Sequence, residues 1–124
     1  MTASLPLHEK IQWELENEIL SGRLQPEQRI PSVRELAIRF GVNPNTVQQA
    51  IREMQRSGLL ISRRGRGVMV TDEIDRICDL RQERGRELAR TFIGQMEALG
   101  YSPKLIMEEM DIYGQDKQIQ DTSK

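Results

Sequence analysis

Short, uncharged hydrogen-bonding side chains are concentrated within the stretch FGVNPNTVQQAIREMQ, residues 40–55. Exposed helix positions are more often occupied by Glu and Lys, which have a better helix propensity. An amide, in contrast, can donate and accept hydrogen bonds in one plane, which suits the edge of a nucleic-acid base. The polar side chains that could make such contacts are Asn43, Asn45, Thr46, Gln48, Gln49 and Arg52.

Arginine is the second residue type that could bind an anion here. Residues 29–71 contain eight arginines against two glutamates, whereas residues 1–28 and 72–124 carry net charges of −3 and −4. The whole chain has a net charge of −1, so the positive charge is concentrated in its middle third. This distribution indicates a nucleic-acid-binding surface, and a solvated surface is the alternative.

Composition excludes several other classes of protein. The 124 residues suffice for one small domain plus an appendage, and no apolar run approaches the roughly 20 residues of a membrane span. The N-terminus has no secretory pattern, so we expect a cytoplasmic protein. One cysteine and one histidine exclude a disulfide framework and a Cys/His zinc site. With no catalytic triad or phosphate loop, we expect neither an enzyme nor a bound metal or cofactor.

Three amphipathic helices are predicted before residue 59, because apolar residues recur every three or four positions. The first ends near Gly22, the second begins with the capping pair Ser32 and Glu35 and ends at Gly41, and the third ends at Gly58. Their apolar faces comprise Leu7, Ile11, Leu15 and Ile19; Val33, Leu36, Ala37 and Phe40; and Val47, Ala50, Ile51 and Met54.

The third helix would have Asn43 as its N-cap and Pro44 at its first position. A short turn containing Gly41 separates it from the second helix, and this spacing predicts a helix-turn-helix. Capping is therefore an alternative role for Asn43. Simple solvation is the alternative for the other polar side chains of the helix.

A β-hairpin is predicted after the third helix. Two β-prone runs at residues 59–62 and 68–71 flank the sequence Arg63-Arg64-Gly65-Arg66-Gly67. The glycines permit the positive φ angles that a tight tip needs, and the clustered arginines are best explained by a bound anion. The predicted fold is mainly α, a winged helix-turn-helix of three helices and a hairpin wing. A solvated turn is the alternative for the tip.

Residues 6–70 resemble the N-terminal domain of GntR-family transcriptional regulators. The motifs that carry the resemblance are SGRLQP at 21–26, PSVRELA at 31–37, NTV at 45–47, GLL at 58–60 and RRGRG at 63–67. The short remainder resembles the YtrA subfamily, whose C-terminal part has only a few dozen residues. The resemblance implies a DNA-binding regulator, and the subfamily suggests that an ABC transporter operon is among its targets.

The resemblance also implies which residues contact DNA. Arg34 would contact DNA from the start of the second helix, with pairing to a nearby acid as the alternative. Asn43, Asn45, Thr46 and Gln48 match positions that enter the major groove, and Arg64, Gly65 and Arg66 match the tip that reaches the minor groove. Relatives often have arginine where this chain has Pro44 or Gln48. Contacts from Gln or Asn to adenine are therefore expected rather than contacts from Arg to guanine.

The C-terminal third is predicted to form two helices with a surplus of apolar residues. We expect a winged domain over residues 1–71, a helical dimerisation region over 72–113 and a frayed tail over 114–124. A two-fold homodimer would cover the apolar surplus and would bind a palindromic, inverted-repeat operator. The alternative is that these helices pack on the chain's own winged domain.

The function predicted from the sequence is a sequence-specific, homodimeric transcriptional repressor. Two alternatives remain: a sensor with a small-molecule effector at the dimer interface, and a winged-helix module that binds an acidic protein. His8 is expected to be a surface or packing residue, and Cys78 a small apolar residue or an exposed bystander.

Overall fold

The computed structural model describes residues 5–122, with side chains described up to residue 118. Five helices and one two-stranded antiparallel sheet make up the chain, which confirms the predicted winged-helix fold class. The elements are α1 (Leu7–Leu20), α2 (Val33–Phe40), α3 (Pro44–Arg56), β1 (Leu60–Arg63), β2 (Gly67–Val70), α4 (Ile74–Ala98) and α5 (Pro103–Thr122). None of the helices in residues 5–122 is long and apolar enough to cross a membrane.

The chain divides into two compact units, which we name the winged unit (up to Arg81) and the helical unit (from Gln82 onward). The core of the winged unit is formed by one face of each of the first three helices and by the wing strands. Leu15, Leu36, Val47 and Met54 are at most 1% exposed. Complete burial of such a side chain contributes about 1.5–3 kcal/mol, so this core carries most of the unit's stability.

Local capping explains where α2 and α3 begin and end. The Ser32 hydroxyl accepts a hydrogen bond from the backbone N–H of Glu35 at 3.1 Å and donates one to the Glu35 carboxylate at 3.2 Å. Gly41, with φ at +67°, ends α2 in the left-handed conformation. Asn43 then caps α3, whose first residue is Pro44. These features confirm the predicted helix-turn-helix.

The wing is the antiparallel hairpin of β1 and β2, in which Leu60 pairs with Val70 and Arg63 pairs with Gly67. The chain before α2 adds a partial third strand: Ile30 N–H donates to Val68 at 3.1 Å, and Val70 N–H donates to Gln28 at 2.9 Å. The wing is therefore hydrogen-bonded on one edge to the segment that leads into α2.

The start of α4 belongs to the winged unit, so this unit extends past the boundary expected at residue 71. Ile77 and Leu80 pack partly buried against the winged core. Arg76 donates a hydrogen bond to the backbone carbonyl of Ser57, and the buried Thr71 hydroxyl accepts one from Glu73 N–H at 3.1 Å. The amphipathic pattern predicts an apolar face on α4 but does not say which partner that face meets.

The helical unit consists of the rest of α4, a turn at Gly100 with φ at +95°, and α5. Helix α5 continues through Gly114 to Thr122, and the frayed tail expected over residues 114–124 stays a prediction. Residues 123–124 lie outside the described residues. A single glycine inside a helix costs only about 1 kcal/mol, and the surrounding Gln and Lys are good helix formers, so the polar composition did not prevent a helix.

Candidate nucleic-acid interface

Helix α3 carries two complementary stripes at the same helical spacing. Its apolar residues Val47, Ala50, Ile51 and Met54 are at most 6% exposed and pack in the core. The opposite face carries Asn45, Gln48, Gln49 and Arg52, all exposed and again spaced i, i+3, i+4 and i+7. We call these four residues the polar stripe. Because the core anchors the other face, the polar stripe is held outward on a rigid helix.

Two other predicted contact residues lie at the first turn of α3. The side-chain oxygen of Asn43 accepts a hydrogen bond from Asn45 N–H at 2.8 Å, so Asn43 has the capping role in the structure. Capping occupies the amide oxygen, while the amide NH₂ is a separate donor. Thr46 is half-buried beside them. The DNA contacts of both residues stay predictions.

Arg34 is the second residue of α2 and its side chain is exposed. In the described part of the chain no carboxylate forms an ion pair with Arg34. The structure therefore does not show the alternative role, which was pairing with a nearby acid. The guanidinium of Arg34 therefore keeps its hydrogen-bond donors for another partner.

The wing tip consists of Arg64, Gly65 and Arg66, all exposed. A hydrogen bond from Arg66 N–H to the Arg63 carbonyl at 2.9 Å closes the turn, and Gly65 has φ at +80°. Arg63 differs from its two neighbours because its guanidinium forms an ion pair with Asp72 at 3.2 Å. The tip thus presents two arginines rather than three.

Two residues near these sites were not among the predicted contacts. Gln55 lies in the polar stretch of α3, but its amide donates to the Ser62 hydroxyl at 2.8 Å and so ties α3 to β1. Arg29 lies beside β2, and its side chain passes close to Gly67 at the tip end of that strand. The sequence marked Arg29 only as one of the arginines of residues 29–71. Its contact with Gly67 joins residues far apart in the chain, so no local pattern indicated it.

The described residues contain no group of three or more His, Cys, Asp and Glu side chains placed to hold a metal ion. Cys78 is half-buried on α4, in the part of that helix that belongs to the winged unit. The exposed polar and cationic side chains of α2, α3 and the wing are the features that could recognise a ligand, and the ligand they suit is a polyanion.

Comparison with known proteins agrees with this geometry. Residues 7–70 match the family model described as bacterial regulatory proteins, gntR family. The chain is 33% identical to the uncharacterized HTH-type transcriptional regulator YhcF of Bacillus subtilis, over 86% of this chain and 88% of YhcF. It is 39% identical to the HTH-type transcriptional repressor YtrA of the same organism, over 56% of this chain and 54% of YtrA.

Solved structures show the same fold. A GntR family transcriptional regulator from Listeria monocytogenes superposes with a TM-score of 0.80 at 30% identity, covering 87% of this chain and 95% of that one. AraR(DBD) in complex with operator ORX1 superposes with a TM-score of 0.53 at 34% identity, covering 57% of this chain and 86% of that one. The chain belongs to the GntR family of bacterial transcriptional regulators, and its winged unit is a DNA-binding winged helix.

Proposed function

We propose that this chain is a homodimeric repressor that recognises an inverted-repeat operator through α3 and the wing. The observation that carries the proposal is the polar stripe, four exposed polar or cationic residues on a helix whose other face is locked in the core. The exposed arginines of α2 and the wing tip would hold the DNA backbone and the minor groove around it.

The base contacts are proposed to come mainly from amides. Gln48 and Gln49 are exposed on consecutive positions of α3, and neither Pro44 nor Gln48 supplies the arginine that would suit guanine. A glutamine or asparagine amide can bind the N6 and N7 atoms of adenine together. We therefore expect A·T pairs at the positions that face the amides of the polar stripe.

The dimer is proposed to form through the helical unit. Its exposed apolar residues include Leu88, Phe92, Ile93, Leu99, Leu105, Met107, Met110, Ile112 and Tyr113. A second copy is the occupant that matches such a surface best, because a two-fold dimer covers the same patch on both chains and repeats α3 for the two halves of an operator.

Repression is proposed from the relatives, among which YtrA is named a transcriptional repressor. A dimer on a promoter would exclude the transcription machinery, and it would act in the cytoplasm, where bacterial promoters are. The resemblance to the YtrA subfamily makes an ABC transporter operon the first target to examine. Of the two alternatives, an effector-gated sensor or a protein-binding module, neither gains a specific observation from the described residues.

Selection of bound duplexes from a random DNA pool tests the proposal. The wild-type chain should yield an inverted repeat. Gln48→Ala should lose the base preference at one position of each half-site, a cost of about 1–3 kcal/mol for that base pair. Gln55→Ala is the matched control, because Gln55 is on the same helix but is bonded to Ser62. An unchanged consensus for Gln48→Ala would remove this residue from the readers, and the absence of any consensus for wild type would refute sequence-specific recognition.

A further inference from the structure

Ion pairing separates the arginines of residues 29–71 into two groups. Arg39, Arg56 and Arg63 form ion pairs with Glu18, Glu53 and Asp72, respectively. Within the described residues the other five form no ion pair with a carboxylate; they are Arg29, Arg34, Arg52, Arg64 and Arg66. Four of these five are residues predicted to contact DNA. Arg29 is the fifth, and by this criterion it belongs with them.

The backbone around Arg29 is fixed against the wing. Arg29 forms a β-bridge with Met69, and the residue after it donates to the Val68 carbonyl at 3.1 Å. Pro31 and Ser32 connect this segment to α2, so Arg29 lies shortly before the first turn of the helix, which contains Arg34. Its position is therefore set by the hairpin on one side and by the start of α2 on the other.

The side chain of Arg29 lies over Gly67. A Cβ atom built on Gly67 would be 3.3 Å from Nε, 3.6 Å from Nη2 and 3.7 Å from Cζ of Arg29. Gly67 ends the paired part of the wing opposite Arg63 and directly follows Arg66. The guanidinium is thus placed at the tip end of the paired strands, directly beside the turn of residues 64–66.

Two separate constraints favour glycine at position 67. Its φ of +81° disfavours a residue with a side chain, and any side chain would press on the Arg29 guanidinium. Gly65 has a similar φ of +80° but open space around it, so crowding distinguishes Gly67 from the tip glycine. A planar guanidinium held in this way, exposed and without a carboxylate, presents N–H donors in a geometry that matches a phosphate.

We propose that Arg29 is a further DNA-binding residue, which contacts a backbone phosphate next to the wing tip, and that Gly67 provides the space in which its guanidinium lies. This inference rests on the proposed DNA-binding function. A phosphate contact carries no sequence information, so it adds affinity equally on all sequences and fixes the wing relative to α2.

Salt dependence of binding tests this contact, because each neutralised phosphate releases condensed counterion. Binding of the full chain is measured by fluorescence anisotropy at several salt concentrations, on a selected duplex and on a duplex of random sequence. Arg29→Gln removes one phosphate contact from each subunit of the proposed dimer, so it should flatten the slope of log affinity against log salt by about two units on both duplexes. Arg29→Lys keeps the charge and should keep the slope.

Arg56→Gln is the matched control, because it removes the same charge from an exposed arginine that is paired with Glu53. It should retain the wild-type slope. All variants are melted first, and Arg29→Met, which keeps the aliphatic stem, replaces Arg29→Gln if the latter lowers the melting temperature.

The proposal is overturned if Arg29→Gln keeps the slope of Arg56→Gln. It is equally overturned if Arg29→Lys flattens the slope as much as Arg29→Gln, since the role of Arg29 would then be packing on Gly67 rather than charge. Failure of the proposed function looks different: the wild-type chain would bind both duplexes with the same affinity, while the slopes on either duplex still decide the role of Arg29. A wild-type chain that binds neither duplex refutes both proposals.

Discussion

The winged unit buries most of its apolar side chains, whereas the helical unit leaves most of its apolar side chains exposed. In the winged unit the apolar faces of α1, α2, α3 and the wing meet in one core. In the helical unit, among the residues whose side chains are described, Ile106 is the one large apolar residue that is buried, at 4% exposed. Phe92 and Leu99 are 42% and 76% exposed.

This difference indicates where each unit obtains its stability. A unit with a closed core gains the free energy of burial within one chain. Helices that expose many Leu, Ile, Met and Phe side chains gain it only when another surface covers them, and large exposed apolar patches mark interaction sites. The winged unit should therefore fold as a monomer, while the helical unit should depend on the second copy.

The largest expected effect comes from a charge placed on the apolar face of α4. Phe92→Asp would bury a carboxylate in the proposed dimer interface, so the chain should become monomeric. Loss of the second half-site contact should then lower affinity for an inverted repeat by roughly 100-fold or more. Sedimentation at tens of micromolar and anisotropy on the selected operator measure the two effects.

Arg90→Asp is the control for this change, because position 90 lies about 160° around the helix from Phe92 and its side chain is exposed. It should stay dimeric. A dimeric Phe92→Asp variant, or a wild-type chain that is monomeric at tens of micromolar, would contradict the dimer proposed here.

The boundary between the units can be tested by truncation. A chain ending at Arg81 keeps Ile77, Leu80 and the hydrogen bond from Arg76 to Ser57, whereas a chain ending at Thr71 loses all three. Two partly buried aliphatic side chains should be worth about 2–3 kcal/mol together. The longer chain should therefore have the higher free energy of unfolding in urea, and both should be monomeric. Equal stabilities would place the boundary at residue 71 after all.

Features that depend on neighbours in the chain could be predicted, and features that depend on contacts through space could not. Ser32, Gly41 and Asn43 mark the helix ends by local chemistry, and the i, i+3, i+4 spacing on α3 separates its core face from the polar stripe. For these reasons the helix-turn-helix and the exposed polar face of α3 could be predicted from the sequence, whereas the DNA contacts of that face stay predictions.

The contact between Arg29 and Gly67 joins residues 38 positions apart, so no local pattern indicates it. The pairing of Arg63 with Asp72 is of the same kind, because any of the three arginines between residues 63 and 67 could have been the one neutralised. Ile77 and Leu80 show a helical period that fits a dimer interface as well as the winged core. In each case the missing information was the identity of the partner.

The smallest expected effects come from removing one helix N-cap in each unit. Asn43 caps α3 with an oxygen 2.8 Å from Asn45 N–H, and Ser102 caps α5 with an oxygen 3.3 Å from Leu105 N–H. Removing either cap with alanine should cost about 1 kcal/mol, and the longer bond of Ser102 should place it at the lower end of the usual range. The two losses should nevertheless be seen in different measurements.

Because α3 is stabilised within the winged unit, Asn43→Ala should lower the unfolding free energy of that unit and leave the dimer dissociation constant unchanged. Helix α5 is expected to gain most of its burial from the second copy, so Ser102→Ala should raise the dissociation constant through mass-action coupling between folding and association. Urea unfolding at two protein concentrations and sedimentation of both variants measure these quantities. If Ser102→Ala leaves dimerisation unchanged while Asn43→Ala weakens it, the division of stability between the units is the reverse of the one argued from their burial.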